Sequence, residues 1–335
     1  MRAIAAVSAA LFLGSTGVAH ADFVRFSTNE ENDSIFADSD QHYTQGLRFA
    51  ATWSDEPAGF WDGAFDFVFG SPPGATIERQ HAFSLGQSVF TPNNIASPIP
   101  NPADRPYAGW LYGGLSLMQE RKFGQGCPDA ELENLDVQLG VIGPDSLAEE
   151  VQIGWHKLFA FTRPMGWQFQ LHNEPGVTVT YERRARFALI GNSDFGLDVI
   201  PETGATVGNV LTYGDVGALA RLGFGLDADY GPARVRPALS GSDWSEEHLN
   251  EPLGIYAFGG FQTRLVGHNI FLDGNTWESS AHVERLPVVT DLVAGVSAFW
   301  STHLRMDVSL VRRSKEFKGQ LDPDNFATIA LSSDF

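Results

Sequence analysis

The chain has 335 residues, and its 41 Asp and Glu against 22 Lys and Arg give a formal net charge of −19 at pH 7. This acidity argues against nucleic acid binding and against a basic membrane-surface patch, and it suits a cell-surface protein whose loops hold divalent cations. The single cysteine, Cys127, excludes an intramolecular disulfide and a cysteine-based metal site.

Residues 1–21 have the pattern of a secretory signal peptide, with Arg2, an apolar run and an Ala-His-Ala end. We expect cleavage after Ala21, which removes Arg2 and changes the formal charge from −19 to −20. No later run of about 18 uninterrupted apolar residues remains, so the sequence excludes a helical membrane protein. An exported soluble protein or a β-barrel is left.

Apolar and polar residues alternate along much of the mature chain. In residues 47–53, 135–141 and 304–310 the apolar side chains take every second position. Segments of about ten residues with one apolar and one polar face are typical of membrane-spanning strands, although a β-sandwich gives similar alternation in shorter runs. Residues 325–335 alternate to the end, and the final Phe335 is typical of the last strand of bacterial outer-membrane barrels.

The pattern predicts an all-β fold, a twelve-stranded antiparallel transmembrane β-barrel occupying residues 22–335, with no second domain. An even strand number is what single-chain bacterial barrels require. The region 227–251 is the least regular, and residues 233–240 could form another short strand. The twelve candidate strands lie near residues 22–30, 44–54, 80–90, 107–123, 131–142, 175–190, 194–205, 210–226, 252–267, 286–300, 303–316 and 324–335.

If both termini face the periplasm, the connections after the first, third and fifth strands lie outside. They are residues 31–43, 91–106 and 143–174. The polar residues that could carry chemistry fall in these three connections, so we expect them at one end of the barrel.

The third connection is predicted to contain a short extracellular helix of about 12 to 14 residues. Ser146 and Glu149 match the S-x-x-E capping box, and Pro144 and Pro164 bound the segment. An apolar stripe at helical spacing should pack against a neighbour. The stripe consists of Leu147, Val151, Trp155 and Leu158.

Gln152 and His156 form a second, polar pair one helical turn apart on the predicted helix. An amide and an imidazole on one face can hold a reacting water and steady a carbonyl oxygen. A lone histidine on a surface helix is more often a solvated or hydrogen-bonded side chain, so the assignment depends on its neighbours.

Several short motifs resemble those of the outer-membrane lipid A 3-O-deacylase family. They run in order through the first half of the mature chain, and beyond about residue 190 the likeness is architectural. The matching pieces are Glu31-Asn32-Asp33, Tyr43-Thr44-Gln45-Gly46, Asp104-Arg105-Pro106-Tyr107-Ala108-Gly109-Trp110, Ile142-Gly143-Pro144-Asp145, Gln152 with His156, and Gly166-Trp167-Gln168-Phe169-Gln170-Leu171-His172-Asn173-Glu174-Pro175.

The resemblance implies a twelve-stranded barrel with a site between its outer rim and an extracellular helix. It also implies calcium-dependent hydrolysis of an ester-linked acyl (acyloxyacyl) chain of lipid A, at the 3′-position. A member of the family uses a lysine in the loop after the third strand, whereas residues 91–106 contain none, and Arg105 is taken here as the basic group near the lipid phosphates. The working residues implied are Asn32, Asp33, Thr44, Gln152 and His156.

Ester hydrolysis needs an activated water and a stabilised oxyanion, and the residue types fit both needs. An imidazole titrating near neutrality suits the general base, which we assign to His156. The side chain of Gln152 or Thr44, together with the metal, is assigned to the oxyanion. Calcium takes six to eight oxygen ligands, and the candidate ligands are Asn32, Asp33 and Glu174.

These assignments place the protein in the outer membrane of a Gram-negative bacterium, with its active site facing the cell surface. Its partner is the lipid A of lipopolysaccharide in the outer leaflet. We expect a monomer and no nucleic acid partner.

Three other interpretations stay open. A porin or surface adhesin would use its external loops only to bind ions or partners. A barrel phospholipase would need a serine next to a histidine, for which Ser301 and His303 are the nearest pair. Residues 38–40, Asp-Ser-Asp, resemble the start of a calcium-binding loop but lack its Gly and terminal Glu, which favours a solvated loop.

Overall fold

The computed structural model describes residues 23–33, 42–55, 59–70, 75–123, 128–191, 195–235, 243–244, 253–300 and 304–335. The predicted signal peptide, residues 38–40, Cys127 and the Ser301/His303 pair lie outside these ranges. The signal peptide therefore stays a prediction.

The described chain forms a closed antiparallel β-barrel in which each strand pairs with the next and β1 pairs with β12. The twelve-stranded fold is confirmed, with β3 starting at Thr76 rather than near residue 80. The strands are β1 Phe23–Asn32, β2 His42–Ser54, β3 Thr76–Thr91, β4 Ala108–Lys122, β5 Ala130–Ile142, β6 Glu174–Gly191, β7 Gly196–Gly208, β8 Leu211–Phe224, β9 Leu253–Asn269, β10 Val288–Trp300, β11 Leu304–Arg313 and β12 Asp324–Asp334. The described ranges also contain three α-helices: α1 Asp62–Val68, α2 Ala148–Phe159 and α3 Ile270–Asp273.

The alternation read from the sequence separates the two faces of the wall. Outward-facing side chains are largely apolar, as in β11, where Leu304, Met306 and Leu310 are exposed. Inward-facing side chains are largely polar and buried, which matches an outer-membrane barrel. No helix within the described ranges is long and apolar enough to cross a membrane.

The two ends of the barrel differ in what they carry. At one end, here called the termini end, Phe335 N donates to Val24 O at 2.9 Å, so the first and last strands begin and finish together. The opposite end, the loop end, carries the connections after β1, β3, β5, β7, β9 and β11. The connections after β1, β3 and β5 are the ones that were predicted to hold the chemistry.

The lumen is filled by the segment that follows β8. Arg234 reaches the Glu31 carboxylate at 2.9 Å, and Asp243 pairs with Arg48 at 2.5 Å. Asp229 pairs with Arg221 at 2.5 Å and also with Arg305. The possible extra strand at 233–240 is reduced, in its described part, to an isolated bridge residue at Ala233.

Helix α3 closes the lumen at the loop end. The Asn269 side chain accepts the Phe271 N–H at 3.0 Å, which satisfies one free donor of the first turn. The Phe271 ring then stacks on Phe90 from the inner face of β3, with centroids 4.1 Å apart. The mouth of the barrel is therefore packed with aromatic side chains.

Helix α1 was not predicted from the sequence. It lies against the outer wall at the termini end, where Phe65 packs in a cluster with Leu117 of β4. Arg79 ties it to β3 by ion pairs to Asp62 and Asp66.

Candidate active site

The predicted loop helix is present as α2, with twelve residues, but its start differs from the prediction. Residues 144–146 form a 3₁₀ turn in which the Ser146 hydroxyl donates to Gly143 O at 2.6 Å. The N-cap is Leu147, in the left-handed region at φ 59°, and no side chain caps the helix. The capping box was wrong because the tight turn uses the Ser146 hydroxyl before the helix begins.

The buried face of α2 is the polar one. Leu147 and Leu158 of the apolar stripe are 51% and 65% exposed, whereas Gln152 and His156 are 1% and 4% exposed. The predicted packing of the stripe was therefore wrong, since the helix turns its amide and imidazole toward the barrel instead. This orientation buries the two side chains that could carry chemistry.

Helix α2 lies on the outer, lipid-facing side of the wall, over β3 and β4. Its first residue, Ala148, packs in a cluster with Val89, which faces outward on β3. The outward Gln87 of the same strand donates to Ser146 O at 2.6 Å. The fit is close at Gly109 of β4, where an added Cβ would lie 2.2 Å from both Ala148 Cβ and Ser146 Oγ.

A tryptophan fixes the Gln152 amide. Trp167 Nε1 donates to Gln152 Oε1 at 2.8 Å, and the indole is itself buried with its ring centroid 4.9 Å from that of Tyr107. Because indole nitrogen is only a donor, it selects the oxygen of the amide. The NH₂ end of Gln152 is thereby set as the donor end for other groups.

The His156 imidazole is oriented by the chain that leaves the helix. Ala160, at φ 58°, ends α2 and lets Phe161 N donate to His156 O at 2.9 Å. This reversal brings Thr162 O to the His156 Nδ1. A carbonyl oxygen only accepts, so Nδ1 carries the proton and Nε2 is the basic nitrogen.

The second group of predicted residues lies where β1 ends and β2 begins. Asp33 N donates to Thr44 O at 3.4 Å, and the Thr44 and Thr91 hydroxyls are 2.7 Å apart. The β2–β3 register shifts between Tyr43 and Gln45, which leaves Thr44 as the extra residue of a bulge. Asn32, Asp33 and Thr44 are all buried.

The strand register joins the two groups on one face of the barrel. Asn32 pairs with Gln45, Gln45 with Val89, and Val89 with Gly109, under α2. Neighbouring strands are about 4.8 Å apart, so Asn32 lies roughly 10 Å from the part of the wall that α2 covers. The structure thus brings the five predicted working residues to the same end and the same side of the wall.

Two neighbours of Asn32 were missed from the sequence. Gln45 Nε2 donates to Glu30 Oε1 at 2.9 Å on the outward face. The alternation of β1 could have found Glu30, because a carboxylate at an outward position of a barrel strand is unusual. These side chains add oxygen donors to the cluster around Asn32.

Arg105 is not brought to this cluster. It is fully buried inside the mouth of the barrel, where Nη1 pairs with Glu316 at 3.2 Å and the guanidinium lies 4.7 Å from the Phe90 centroid. Burial lowers the pKa of Arg105, and the carboxylates of Glu316 and Asp324 oppose that change. Arg105 therefore forms a structural ion pair inside the mouth, away from the cluster around Asn32.

The adjacent Asp104 has a structural role at the same mouth. Burial alone would raise the pKa of Asp104, but hydrogen bonds from His42 and from the backbone N–H groups of Asn93 and Arg105 outweigh it, so the pKa is lowered. Asp104 is therefore ionised and holds the connection between β3 and β4 onto β2.

Glu174 also lies away from Asn32. It begins β6 on the inward face, and its carboxylate accepts from Asn209 Nδ2 at 3.0 Å, Asn275 Nδ2 at 3.1 Å and Thr276 N at 2.8 Å. These bonds tie neighbouring loops together. Within the described ranges no group of three or more His, Cys, Asp or Glu is placed to hold a metal ion.

The fold and site define a class: an outer-membrane β-barrel with a buried polar cluster, including a histidine, between a loop helix and its lipid-facing wall. A family model described as outer membrane protein LpxR matches residues 4–335. The chain therefore belongs to the LpxR family, whose place is the outer membrane of Gram-negative bacteria.

The fold agrees with that of a solved structure of the family. LpxR from Salmonella typhimurium is similar at a TM-score of 0.70 and 22% identity, over 93% of this chain and 100% of that one. The β domain of the Bordetella autotransporter BrkA gives a TM-score of 0.45 at 9% identity, over 93% and 98% of the two chains. A search of curated protein sequences found no significant match.

Proposed function

We propose that this protein is a lipid A deacylase that hydrolyses an ester-linked acyl (acyloxyacyl) chain, at the 3′-position. The observation that carries the proposal is the burial of His156 and Gln152 between α2 and the outer wall, each held by a fixed partner. Such a site opens toward the lipid and not toward the lumen. The motifs shared with the lipid A 3-O-deacylases point to the same substrate.

The site would meet lipid A if the loop end faces the cell surface. A chain that enters the periplasm behind a signal peptide inserts from that side, and both its termini then stay at the periplasmic end. The loop end is the opposite one. Lipid A of the outer leaflet would then approach the wall with its esters at the level of α2.

The reaction requires proton transfer to and from a water. His156 Nε2 takes a proton from a water as its oxygen attacks the acyl carbonyl carbon, and the carbonyl oxygen gains the negative charge. When the tetrahedral intermediate collapses, His156 returns the proton to the departing sugar oxygen. The products are a free fatty acid and a hydroxyl group on the sugar.

Thr44 and the amide NH₂ of Gln152 are the donors we assign to the developing oxyanion. In hydrolases of known mechanism, loss of one such donor costs about 3 to 4 kcal/mol. The Trp167 bond to Gln152 Oε1 supports this role because it sets the donor end of the amide before substrate arrives.

Calcium is part of the proposal. The cluster at the end of β1 offers amide and carboxylate oxygens from Asn32, Asp33 and Glu30, which is the donor chemistry that calcium prefers. Asn32 and Asp33 would hold the ion, which when bound supplies an electrophile for the ester carbonyl. Glu174 faces the lumen and is saturated with hydrogen bonds, so we leave it out of the ligand set.

The packed lumen opposes the porin alternative. Buried ion pairs from the segment after β8 cross the interior, and α3 closes the loop end. A monomer is proposed as the active unit.

The test is release of fatty acid from lipid A by purified protein in detergent micelles. Wild type is expected to release it with calcium and to lose that activity with a chelator, with recovery when calcium is restored. His156→Asn should lower kcat at least a hundred-fold, since general base catalysis contributes about 10²–10⁴. His172→Asn is the matched control, because His172 is an exposed histidine at the same end that pairs with Glu278. Equal activity of wild type and His156→Asn would refute the proposal.

A further inference from the structure

Most lysines and arginines of this acidic protein form ion pairs with aspartate or glutamate side chains. Within the described ranges, four cations have no ion-pair partner, and all four lie at the loop end. They are Lys157, Arg163, Arg312 and Lys315. Unpaired cations therefore collect at the end of the barrel where the candidate site lies.

Arg312 differs from the other three because it lies on the membrane-facing wall of a strand. It alternates with the outward-facing Leu310 near the end of β11, and its side chain is exposed. Its register partners are Leu292 on β10 and Asn325 on β12. The cation thus stands in a row with one apolar and one amide side chain, at the boundary between lipid and water.

The register connects this position to the candidate active site. The next row along the wall pairs Ala294 with Leu310, Leu310 with Ala327, and Ala327 with Asn32. Arg312 is therefore two strands from the end of β1, on the side of Asn32 opposite to α2.

A groove runs along this part of the outer wall. It has a volume of about 380 Å³ and is lined by Asp33, by Arg312 and Asn325, and by the apolar residues Leu292, Leu310 and Ala327. This volume lies within the range of small-molecule sites. Its polar residues lie toward the loop end and its apolar residues continue the lipid-facing wall, so it matches a lipid with an anionic head and an acyl chain.

We propose that this groove, the β10–β12 groove, is a substrate subsite: Arg312 and Asn325 bind a phosphate of lipid A while an acyl chain lies along Leu310 and Ala327. The inference rests on the proposed function and adds the phosphate contact. A guanidinium suits phosphate because its fork of donors matches the phosphate oxygens. An arginine on the lipid-facing wall is tolerated near the membrane boundary, where lipid head groups lie.

This subsite supplies the basic group near the lipid phosphates, a role that the sequence analysis had assigned to Arg105. Arg105 is buried in the mouth and paired with Glu316, whereas Arg312 is exposed beside Asp33. The groove also continues directly from the proposed reacting centre, so one lipid molecule can occupy both.

The test measures the dissociation constant of lipid A in detergent micelles for two ligands, phosphorylated and dephosphorylated lipid A. Arg312→Ala should weaken binding of the phosphorylated ligand about ten-fold, the effect of losing one charge-assisted hydrogen bond, and leave the dephosphorylated ligand unchanged. Lys318→Ala is the matched control, because Lys318 is a cation at the same end that already pairs with Glu284. It should change neither constant.

Ala294→Phe tests the apolar part of the groove. The added ring would project from the row that contains Leu310, and it should weaken the binding of both ligands equally. Val216→Phe is the control, at an exposed outward position on β8. Phosphatidylglycerol should not displace lipid A from the β10–β12 groove at concentrations at which lipid A itself binds there.

Equal effects of Arg312→Ala on both ligands, no effect on either, or full competition by phosphatidylglycerol would overturn the subsite. Because the measurement is binding, it can be made in the His156→Asn background. Failure of deacylation in wild type would refute the proposed function, but the binding comparison would still test the subsite.

Discussion

The side chains with the most specific placement are two that the sequence marked as a pair, Gln152 and His156. Each takes its orientation from a partner outside the helix, Trp167 for the amide and Thr162 O for the imidazole. A fixed amide and a fixed imidazole lower the entropy that the reaction would otherwise lose in orienting them. The partners should therefore matter for rate.

Trp167→Phe tests this at the level of one hydrogen bond. The ring can keep its packing against Tyr107, but Gln152 Oε1 loses its donor. We expect kcat to fall roughly ten-fold, from the loss of about 1 kcal/mol or more of orientation, with KM changed less than about two-fold. Steady-state deacylation kinetics give both values.

Trp277→Phe is the control for that substitution, since Trp277 is a largely exposed tryptophan. If Trp167→Phe raised KM and left kcat intact, the tryptophan would serve binding and not the orientation of the amide.

The sequence identified these two residues because spacing alone puts positions four apart on one face of a helix. It could not identify their partners, because Trp167 and Thr162 come from the irregular chain after α2, whose path no periodic pattern records. Arg105 shows the converse error: a basic residue in the expected loop points into the barrel, and the exposed cation, Arg312, comes from a strand far along the chain.

At the scale of elements, α2 depends on a smooth stretch of wall beneath it. Gly109 supplies that surface, because a methyl group there would overlap Ala148 and Ser146. The motif around Asp104–Trp110 therefore has a packing reason for its glycine.

Gly109→Ala should displace α2 without unfolding the barrel. Overpacking of this kind costs about 1–3 kcal/mol, which falls on the helix rather than on the strand ladder. We expect at least a ten-fold loss of deacylation, together with faster amide hydrogen exchange in residues 148–159.

Gly113→Ala is the matched control on the same strand, also outward, where the nearest heavy atom to the new Cβ would be Ser84 O at 3.9 Å. It should keep wild-type activity and exchange. Full activity of Gly109→Ala would mean that the contact of α2 with the wall is not needed.

The elements were predictable to different degrees. Strand positions could be read from the sequence because an apolar outer face and a polar lumen enforce a period of two. The face that α2 buries could not be predicted from the sequence. In water-soluble proteins a helix buries its apolar stripe, whereas a helix beside lipid can expose it. Helix α1 was missed because its short segment carries no cap signal and its N-cap, Trp61, makes no side-chain bond.

The lumen of the barrel is filled with side chains, and the candidate active site lies on its outer wall. Arginines and carboxylates of neighbouring strands meet in the lumen, as where Asp291 of β10 pairs with Arg264 of β9 at 3.0 Å and with Arg313 of β11 at 2.9 Å. Removal of one partner of such a buried pair lowers the free energy of unfolding by about 3–5 kcal/mol, so the interior is held as one network.

A filled lumen should not conduct ions. Protein reconstituted in a planar bilayer is expected to show no stepwise current across the range of voltages that the bilayer tolerates. Regular conductance steps from protein that is correctly folded by heat-modifiability on a gel would revive the porin alternative.

We propose that His156, at the loop end, acts on lipid A in the outer leaflet. The most direct measurement is mass spectrometry of lipid A extracted from Gram-negative cells that express wild type or His156→Asn, with fragmentation to locate the chain that is lost. Wild type should yield lipid A lighter by one acyl group at the 3′-position, and His156→Asn should leave lipid A intact. Unaltered lipid A in the wild-type strain, or the same loss in both strains, would contradict the account.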